Sequence, residues 1–187
     1  MQEEIDMAME ILNESMDAKL EHLNKELSKI RTGKASPSML GGIMVDYYGS
    51  STPMNQVANV TASDSRTLAI QPWEKSMLAP IEKAIFEANL GLTPMNDGEM
   101  VRISVPPLTE ERRKELVKMA KASGEDAKVG MRSSRQKAMD VVKGAVKNGY
   151  PEDAGKKAET DIQNVINAST KRVDDIVQSK ESDIMTV

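Results

Sequence analysis

Apolar side chains recur every three or four residues through the first thirty positions of the chain. The members of this series are Ile5, Met9, Leu12, Met16, Leu20, Leu23, Leu27 and Ile30. This spacing places them on one face of a helix, and the acidic residues between them suit a solvent-exposed face. Gly33 and Pro37 follow, and both are typical of a helix stop and of the exit of the chain. The pattern therefore predicts one amphipathic helix over residues 1–30.

Residues 31–105 lose this period and show short apolar runs between turn residues. The runs 43–48, 57–61, 67–70 and 100–105 predict strands, with a turn at 49–51. Residues 76–88 predict a helix that carries Pro80 in its first turn. Its apolar members are Met77, Leu78, Ile81, Ile85 and Phe86. Asn96, Asp97 and Gly98 are typical of a hairpin turn before the last strand, so this region is predicted to be a small β/α/β domain.

A second helical period begins after Pro106 and Pro107, where Thr109 is a candidate N-cap. It runs to about Lys147 on the apolar and small residues Leu116, Ala120, Ser123, Ala127, Met131, Ser134, Ala138, Val141 and Ala145. A third helix follows the short link at residues 148–152. Its apolar face comprises Ala158, Ile162, Val165, Ser169, Val173, Ile176 and Ile184. A link this short makes the second and third helices antiparallel neighbours.

Three long amphipathic helices bury their apolar faces by packing together, which predicts an α+β protein with a long three-helix bundle. The bundle is predicted from residues 1–30 and 106–187, and residues 31–105 form the β/α/β domain inserted between helices one and two. Two linkers then join the domains side by side, and two such linkers make a hinge. The predicted hinge residues are Thr32, Gly33, Val105, Pro106 and Pro107, with the bending freedom near Thr32 and Gly33.

Charge is distributed unevenly along the chain. The whole protein has net charge −4, whereas residues 102–147 contain twelve basic and six acidic side chains. Steps of three and four along the second helix select one row, the basic stripe: Lys114, Lys118, Lys121, Glu125, Lys128, Arg132, Arg135, Met139 and Lys143. Seven of these nine residues are basic, and Glu125 is their only acidic neighbour in the row. A solvated helix face normally mixes both signs, so the stripe favours a polyanionic partner.

Several kinds of chemistry lack the residues that they need. The chain has no Cys and a single His, His22, which is expected on the surface of the first helix. Gly33 and Lys34 do not complete a phosphate-binding loop, because the required preceding Gly and following Ser or Thr are replaced by Ser28 and Ala35. We therefore expect no enzymatic activity, no metal and no cofactor. No membrane-spanning run and no signal peptide are recognisable, which favours a cytoplasmic protein.

Four segments resemble ribosome recycling factors. Residues 29–38 read Lys-Ile-Arg-Thr-Gly-Lys-Ala-Ser-Pro-Ser, residues 47–49 read Tyr-Tyr-Gly, and residues 90–92 read Leu-Gly-Leu. Residues 106–114 read Pro-Pro-Leu-Thr-Glu-Glu-Arg-Arg-Lys. The resemblance runs in register along essentially the whole chain. It implies a helical bundle and a β/α/β domain on a flexible hinge, and a factor that separates ribosomal subunits after termination together with elongation factor G.

The resemblance also implies roles for individual residues. The arginine pair with which the family contacts large-subunit ribosomal RNA corresponds to Arg132 and Arg135, which the basic stripe contains independently. The family's arginine before Thr-Gly corresponds to Arg31. We therefore predict an RNA-binding set of Arg132, Arg135, Lys128, Lys121, Lys118, Lys114 and Arg31 in a monomeric protein.

One alternative from another functional class remains at this point. A helical holdase or scaffold would explain a long bundle and the fourteen Met residues, because Met adapts to irregular apolar partners. It would not explain a one-sided basic stripe. Binding that weakens steeply with salt would favour the RNA-binding interpretation.

Overall fold

The structure, a computed structural model, describes residues 1–186. Within them the chain divides into two compact units. The helical unit comprises residues 1–32 and 110–186, and the small unit comprises residues 33–109. Long helices combined with a small sheet confirm the α+β class predicted from the sequence.

The helical unit contains three long helices. They are α1 (Gln2–Ser28), α3 (Glu110–Lys147) and α4 (Glu152–Met185), and each packs against the other two. Its core is lined by buried aliphatic side chains from all three helices, among them Leu12, Leu23, Met131, Ile162 and Ile184. α3 begins directly after Thr109 and ends at Lys147, as the sequence pattern predicts.

The apolar faces of these helices differ in detail from the predicted series. Ala8 is buried on α1 beside the half-buried Met9. On α3 Val142 is fully buried while Val141 is 38% exposed. On α4 Ile166 and Val177 are buried, and the predicted Val165 and Ile176 are half-buried. The cause is geometric: an α-helix has 3.6 residues per turn, so positions three and four residues on both lie near the same face, and the spacing alone does not decide which of the two is buried.

The small unit contains six strands, one α-helix and three short 3-10 helices. The strands are β1 (Met44–Tyr47), β2 (Ser50–Pro53), β3 (Ala58–Asp64), β4 (Thr67–Pro72), β5 (Thr93–Asn96) and β6 (Val101–Ser104). β1 and β2 form an antiparallel hairpin, and the other four form an antiparallel sheet in the order β3-β4-β6-β5. Helix α2 (Leu78–Glu87) contacts β1, β5 and β6 and has Pro80 in its first turn.

Three predictions for this unit are wrong or incomplete. The sequence pattern predicts a turn at residues 50 and 51, but these residues begin β2, which pairs with β1 through Tyr47 and Ser50. The pattern does not indicate β5, because its Pro and Asn residues disfavour strands and only its pairing with β6 stabilises it. Phe86 is predicted on the apolar face of α2, yet it is 76% exposed, whereas the other predicted members Ile81 and Ile85 are buried.

Candidate nucleic-acid interface

The basic stripe lies on the side of α3 that borders α4. Its members Lys114, Lys118, Lys121, Arg132 and Lys143 are exposed, and Lys128 and Arg135 are half-buried. The buried positions of α3, such as Ala120, Met131 and Ala138, lie about 100° around the helix from the centre of the stripe. The stripe is therefore an edge of the helical unit rather than part of its core.

Side chains of the stripe reach across to α4 at three levels. Arg135 Nη1 donates to Gln163 Oε1 at 3.2 Å, and Lys128 Nζ lies 2.6 Å from Asp174 Oδ1. Further along, Lys121 Nζ lies 3.8 Å from Glu181 Oε1. The numbers fall along α3 as they rise along α4, so the two helices are antiparallel, as the short link between them predicts.

These contacts change the charge balance of the stripe. The sequence pattern suggests that Glu125 alone offsets seven basic residues, and this is wrong. Asp174 and Glu181 also pair with stripe lysines, and Lys128 additionally lies 3.8 Å from Glu125. A search for residues three or four apart on one helix cannot detect ion pairs between two helices.

Arg132 differs from the paired lysines. It is exposed, and no hydrogen bond or ion pair joins its guanidinium to another residue within the described part of the chain. Within the same described residues, the neighbouring Arg135 is hydrogen-bonded only to a neutral amide, that of Gln163. Among residues 1–186, no carboxylate therefore pairs with either guanidinium, and Arg132 keeps all its donors for an external acceptor. A guanidinium binds phosphate through two parallel hydrogen bonds, which a lysine cannot reproduce.

Arg31, the remaining residue of the predicted RNA-binding set, lies outside α3. It is exposed in the segment that follows α1, within the helical unit. A separate segment of the chain therefore supplies it, whereas the other six residues share one helix edge.

The predicted hinge residues occupy different environments. Gly33 adopts a left-handed backbone with φ +78°, and a Cβ placed there would lie 2.9 Å from Leu108 Cγ, so residues of the two linkers touch within the small unit. Val105 is buried, and its N–H donates to the carbonyl of Arg66 at 2.7 Å. Thr32 belongs to the helical unit, and Pro106 and Pro107 are exposed.

Sequence reasoning missed the residues of α4 that border the stripe. They are Gln163, Asn167, Asp174 and Glu181, which lie within one helix edge. The signal was available: an antiparallel pair of helices joined at residues 148–151 brings residues whose numbers sum to about 300 to the same level.

Other kinds of site are not found in residues 1–186. No group of three or more His, Asp or Glu side chains in this part of the chain could hold a metal ion. None of the described helices is both long enough and apolar enough to cross a membrane.

Comparison with known proteins identifies the family. The family model for ribosome recycling factor matches residues 23–185. The ribosome-recycling factor of Flavobacterium johnsoniae is 51% identical over 187 residues, which is all of both chains. That of Christiangramia forsetii is 54% identical over 185 residues, 99% of this chain and 100% of the relative.

Solved structures agree with the sequence comparison. A solution structure of a ribosome recycling factor has a TM-score of 0.77 at 32% identity and covers 98% of each chain. The T. thermophilus ribosome recycling factor, described with E. coli elongation factor G bound to the E. coli post-termination complex, has a TM-score of 0.62 at 39% identity. It is matched over 97% of this chain and 99% of its own. The chain therefore belongs to the ribosome recycling factor family, whose members are translation factors and not enzymes.

Proposed function

We propose that the protein binds the ribosome after termination through the basic stripe of α3 and, together with elongation factor G, promotes separation of the subunits. The stripe binds RNA of the large subunit, with Arg132 and Arg135 as its centre and Lys114, Lys118, Lys121, Lys128 and Arg31 as further contacts. The place of action is the cytoplasm, and the protein acts as a monomer.

One observation carries the RNA contact. Arg132 is exposed and free of internal partners among residues 1–186, and beside it Arg135 meets only the amide of Gln163. Two uncompensated guanidinium groups one helical turn apart suit successive phosphates of an RNA backbone. In an otherwise acidic protein, such a site also orients the molecule toward a polyanion.

The participation of elongation factor G is proposed from a relative. The T. thermophilus factor has been described with this elongation factor on the post-termination complex. Its 39% identity over nearly the whole of both chains makes the same partner the natural proposal here.

The small unit is proposed to move as a domain on the two linkers. Supporting this, the chain divides into two compact units whose covalent connections are Thr32–Gly33 and Thr109–Glu110. The N–H of Val105 is hydrogen-bonded to the carbonyl of Arg66, and Gly33 lies against Leu108. Val105 and Gly33 therefore both belong to the small unit. The push of a motor factor on one domain can separate the subunits only if that domain can rotate.

A light-scattering assay tests this function. Post-termination ribosomes are mixed with elongation factor G, GTP and either the wild-type protein or Arg132→Ala. The control is Arg172→Ala, another exposed arginine, which lies two residues from Asp174 and thus on another side of α4. Wild type and R172A should split the subunits only when the elongation factor is present, and R132A should be slower. Splitting by R132A at the wild-type rate at limiting concentration would contradict the proposal, and salt-independent binding would favour a holdase.

A further inference from the structure

The amides beside the arginine pair form a hydrogen-bonded chain with a fixed direction. Arg135 Nη1 donates to Gln163 Oε1 at 3.2 Å, and Gln163 Nε2 donates to Asn167 Oδ1 at 2.8 Å. A guanidinium can only donate, so Gln163 must turn its oxygen to Arg135 and its NH₂ group to Asn167. Asn167 must then accept with its oxygen, which leaves its own NH₂ group as the end of the chain.

That terminal NH₂ group is available to an outside acceptor. Asn167 is exposed, and its side-chain nitrogen donates to no other residue in the described range 1–186. The residue lies in the middle of α4, where the backbone is fully paired within the helix. The amide donor is therefore held in place by Gln163 and ultimately by Arg135.

Asn167 lies at the level of Arg132. The Arg135–Gln163 and Lys128–Asp174 contacts bracket both residues, because α3 and α4 run antiparallel. From the first contact, Arg132 is three residues along α3 and Asn167 is four residues along α4, so their levels differ by only about 1.5 Å. An anion bound by Arg132 at this edge would therefore have Asn167 on its α4 side.

The electrostatic character of α4 changes sharply along this edge. At the level of Arg132 the helix presents the neutral amides of Gln163 and Asn167. Seven residues after Asn167, on the same face, it presents the carboxylate of Asp174, which is paired with Lys128. At the level of Arg132, an RNA phosphate would find hydrogen-bond donors from both helices. At the level of Lys128, it would meet the competing carboxylate of Asp174.

We propose that Asn167 is a further RNA-binding residue, whose amide NH₂ donates to a backbone acceptor of the RNA segment that Arg132 binds. Gln163 is a positioning residue. It accepts a hydrogen bond from Arg135 and donates one to Asn167, and it thereby fixes the orientation of the Asn167 amide. The inference rests on the proposed function of the basic stripe and extends that site from α3 onto α4. RNA is the occupant because cationic donors and a neutral amide donor converge here, and no carboxylate of α4 intervenes at this level.

An exchange of charge between two positions tests the proposal. The variants are Asn167→Asp, Asp174→Asn and their combination, which has the same composition and net charge as the wild type. Binding to purified bacterial large ribosomal subunits is measured for each. N167D should bind more than about tenfold more weakly, because it replaces a donor by a repelling carboxylate. The combined variant should still bind the large subunit severalfold more weakly than the wild type does, whereas D174N should bind it no more weakly than the wild type.

A second variant separates the amide from the added charge. Asn167→Ala removes one neutral hydrogen bond and should weaken binding by about three- to tenfold. Circular dichroism and the thermal midpoint should be unchanged, because position 167 is exposed and Ala favours a helix. If N167A and the exchanged variant bind like the wild type while Arg132→Ala is weakened, the role of Asn167 is overturned and the proposed function stands. If R132A also binds like the wild type, the proposed function itself fails.

A proximity measurement distinguishes RNA from a protein partner. The chain has no cysteine, so Asn167→Cys supplies a unique attachment point for an iron–EDTA group that cleaves nearby RNA. At saturating protein, cleavage of large-subunit RNA close to the sites cut from Arg132→Cys supports the proposal. Cleavage from position 132 without cleavage from position 167 overturns it.

Discussion

Lys128 Nζ lies 2.6 Å from Asp174 Oδ1, so a carboxylate of α4 forms an ion pair with a lysine of the basic stripe. The lysine side chain is only 20% exposed, whereas that of Asp174 is 64% exposed. An approaching phosphate must therefore compete with Asp174 for this ammonium group. If the stripe binds RNA as proposed, its affinity depends on acids of α4 as well as on its own basic residues.

Removing this competitor should strengthen RNA binding. Asp174→Asn frees Lys128 and removes a repelling charge, so the affinity for large ribosomal subunits should rise severalfold and the salt dependence should steepen. The free energy of unfolding should change by less than about 1 kcal/mol, because the pair is partly exposed. Titration at several salt concentrations measures the effect. Weaker binding by D174N would mean that Asp174 positions Lys128 for the RNA instead of competing for it.

Two glycines of α3 should respond in opposite ways to the same substitution. Apart from its chain neighbours and the nearby backbone of α3, a methyl group at Gly144 would meet no atom within 4 Å, so Gly144→Ala should stabilise the helical unit by about 1 kcal/mol through helix propensity. At Gly124 a Cβ would lie 2.7 Å from Val177 Cγ2, so Gly124→Ala should destabilise the unit by about 1–3 kcal/mol. Denaturation followed by far-ultraviolet circular dichroism compares them. Equal changes in the free energy of unfolding for both variants would show that Val177 does not pack against Gly124.

The contact between Gly33 and Leu108 can be separated from backbone strain. Gly33→Ala suffers both a left-handed backbone and a 2.9 Å approach to Leu108 Cγ. Gly42→Ala has a similar φ of +86° but nothing within 4 Å, so it measures the strain alone, about 1–2 kcal/mol.

G33A should therefore cost more than G42A, and Leu108→Ala should remove the difference. Trp73, the only Trp of the chain, lies in the small unit and reports its unfolding by fluorescence. No difference between G33A and G42A would place Leu108 away from Gly33.

Adjacent residues of α2 should differ greatly in importance for the small unit. Ile85 is 1% exposed, and Ile85→Ala should cost about 2–5 kcal/mol. Phe86 is 76% exposed, and Phe86→Ala should change the free energy of unfolding by less than about 0.5 kcal/mol. The same fluorescence-detected denaturation measures both. A large cost for F86A would mean that a partner within the protein covers this ring.

The sequence predicts the long helices well, because each carries many turns of the same period between strong stop signals. α3 begins at Glu110 after Pro106, Pro107 and Thr109, and it ends before the Asn-Gly pair at residues 148–149. The short strands β2 and β5 escape prediction because they contain Ser, Pro and Asn and depend on pairing with β1 and β6. Such pairing is a tertiary effect that local propensity does not contain.

The same limit applies to the candidate site. Arg132 and Arg135 are recognisable because basic residues repeat on one helix face. Their neighbours Gln163 and Asn167 carry no charge and lie on another helix, so no pattern within α3 indicates them. Likewise, Asp174 and Glu181 oppose the stripe only after α3 and α4 have packed together.

The salt dependence of large-subunit binding by Arg132→Ala tests the central claim most directly. If Arg132 binds a phosphate, R132A should bind more weakly than wild type, and the slope of log affinity against log salt should fall by about one unit. Arg172→Ala should retain both the affinity and the slope, and both variants should keep the wild-type thermal midpoint. An R132A protein whose affinity and salt slope equal those of R172A would contradict the assignment of the basic stripe as the RNA-binding surface.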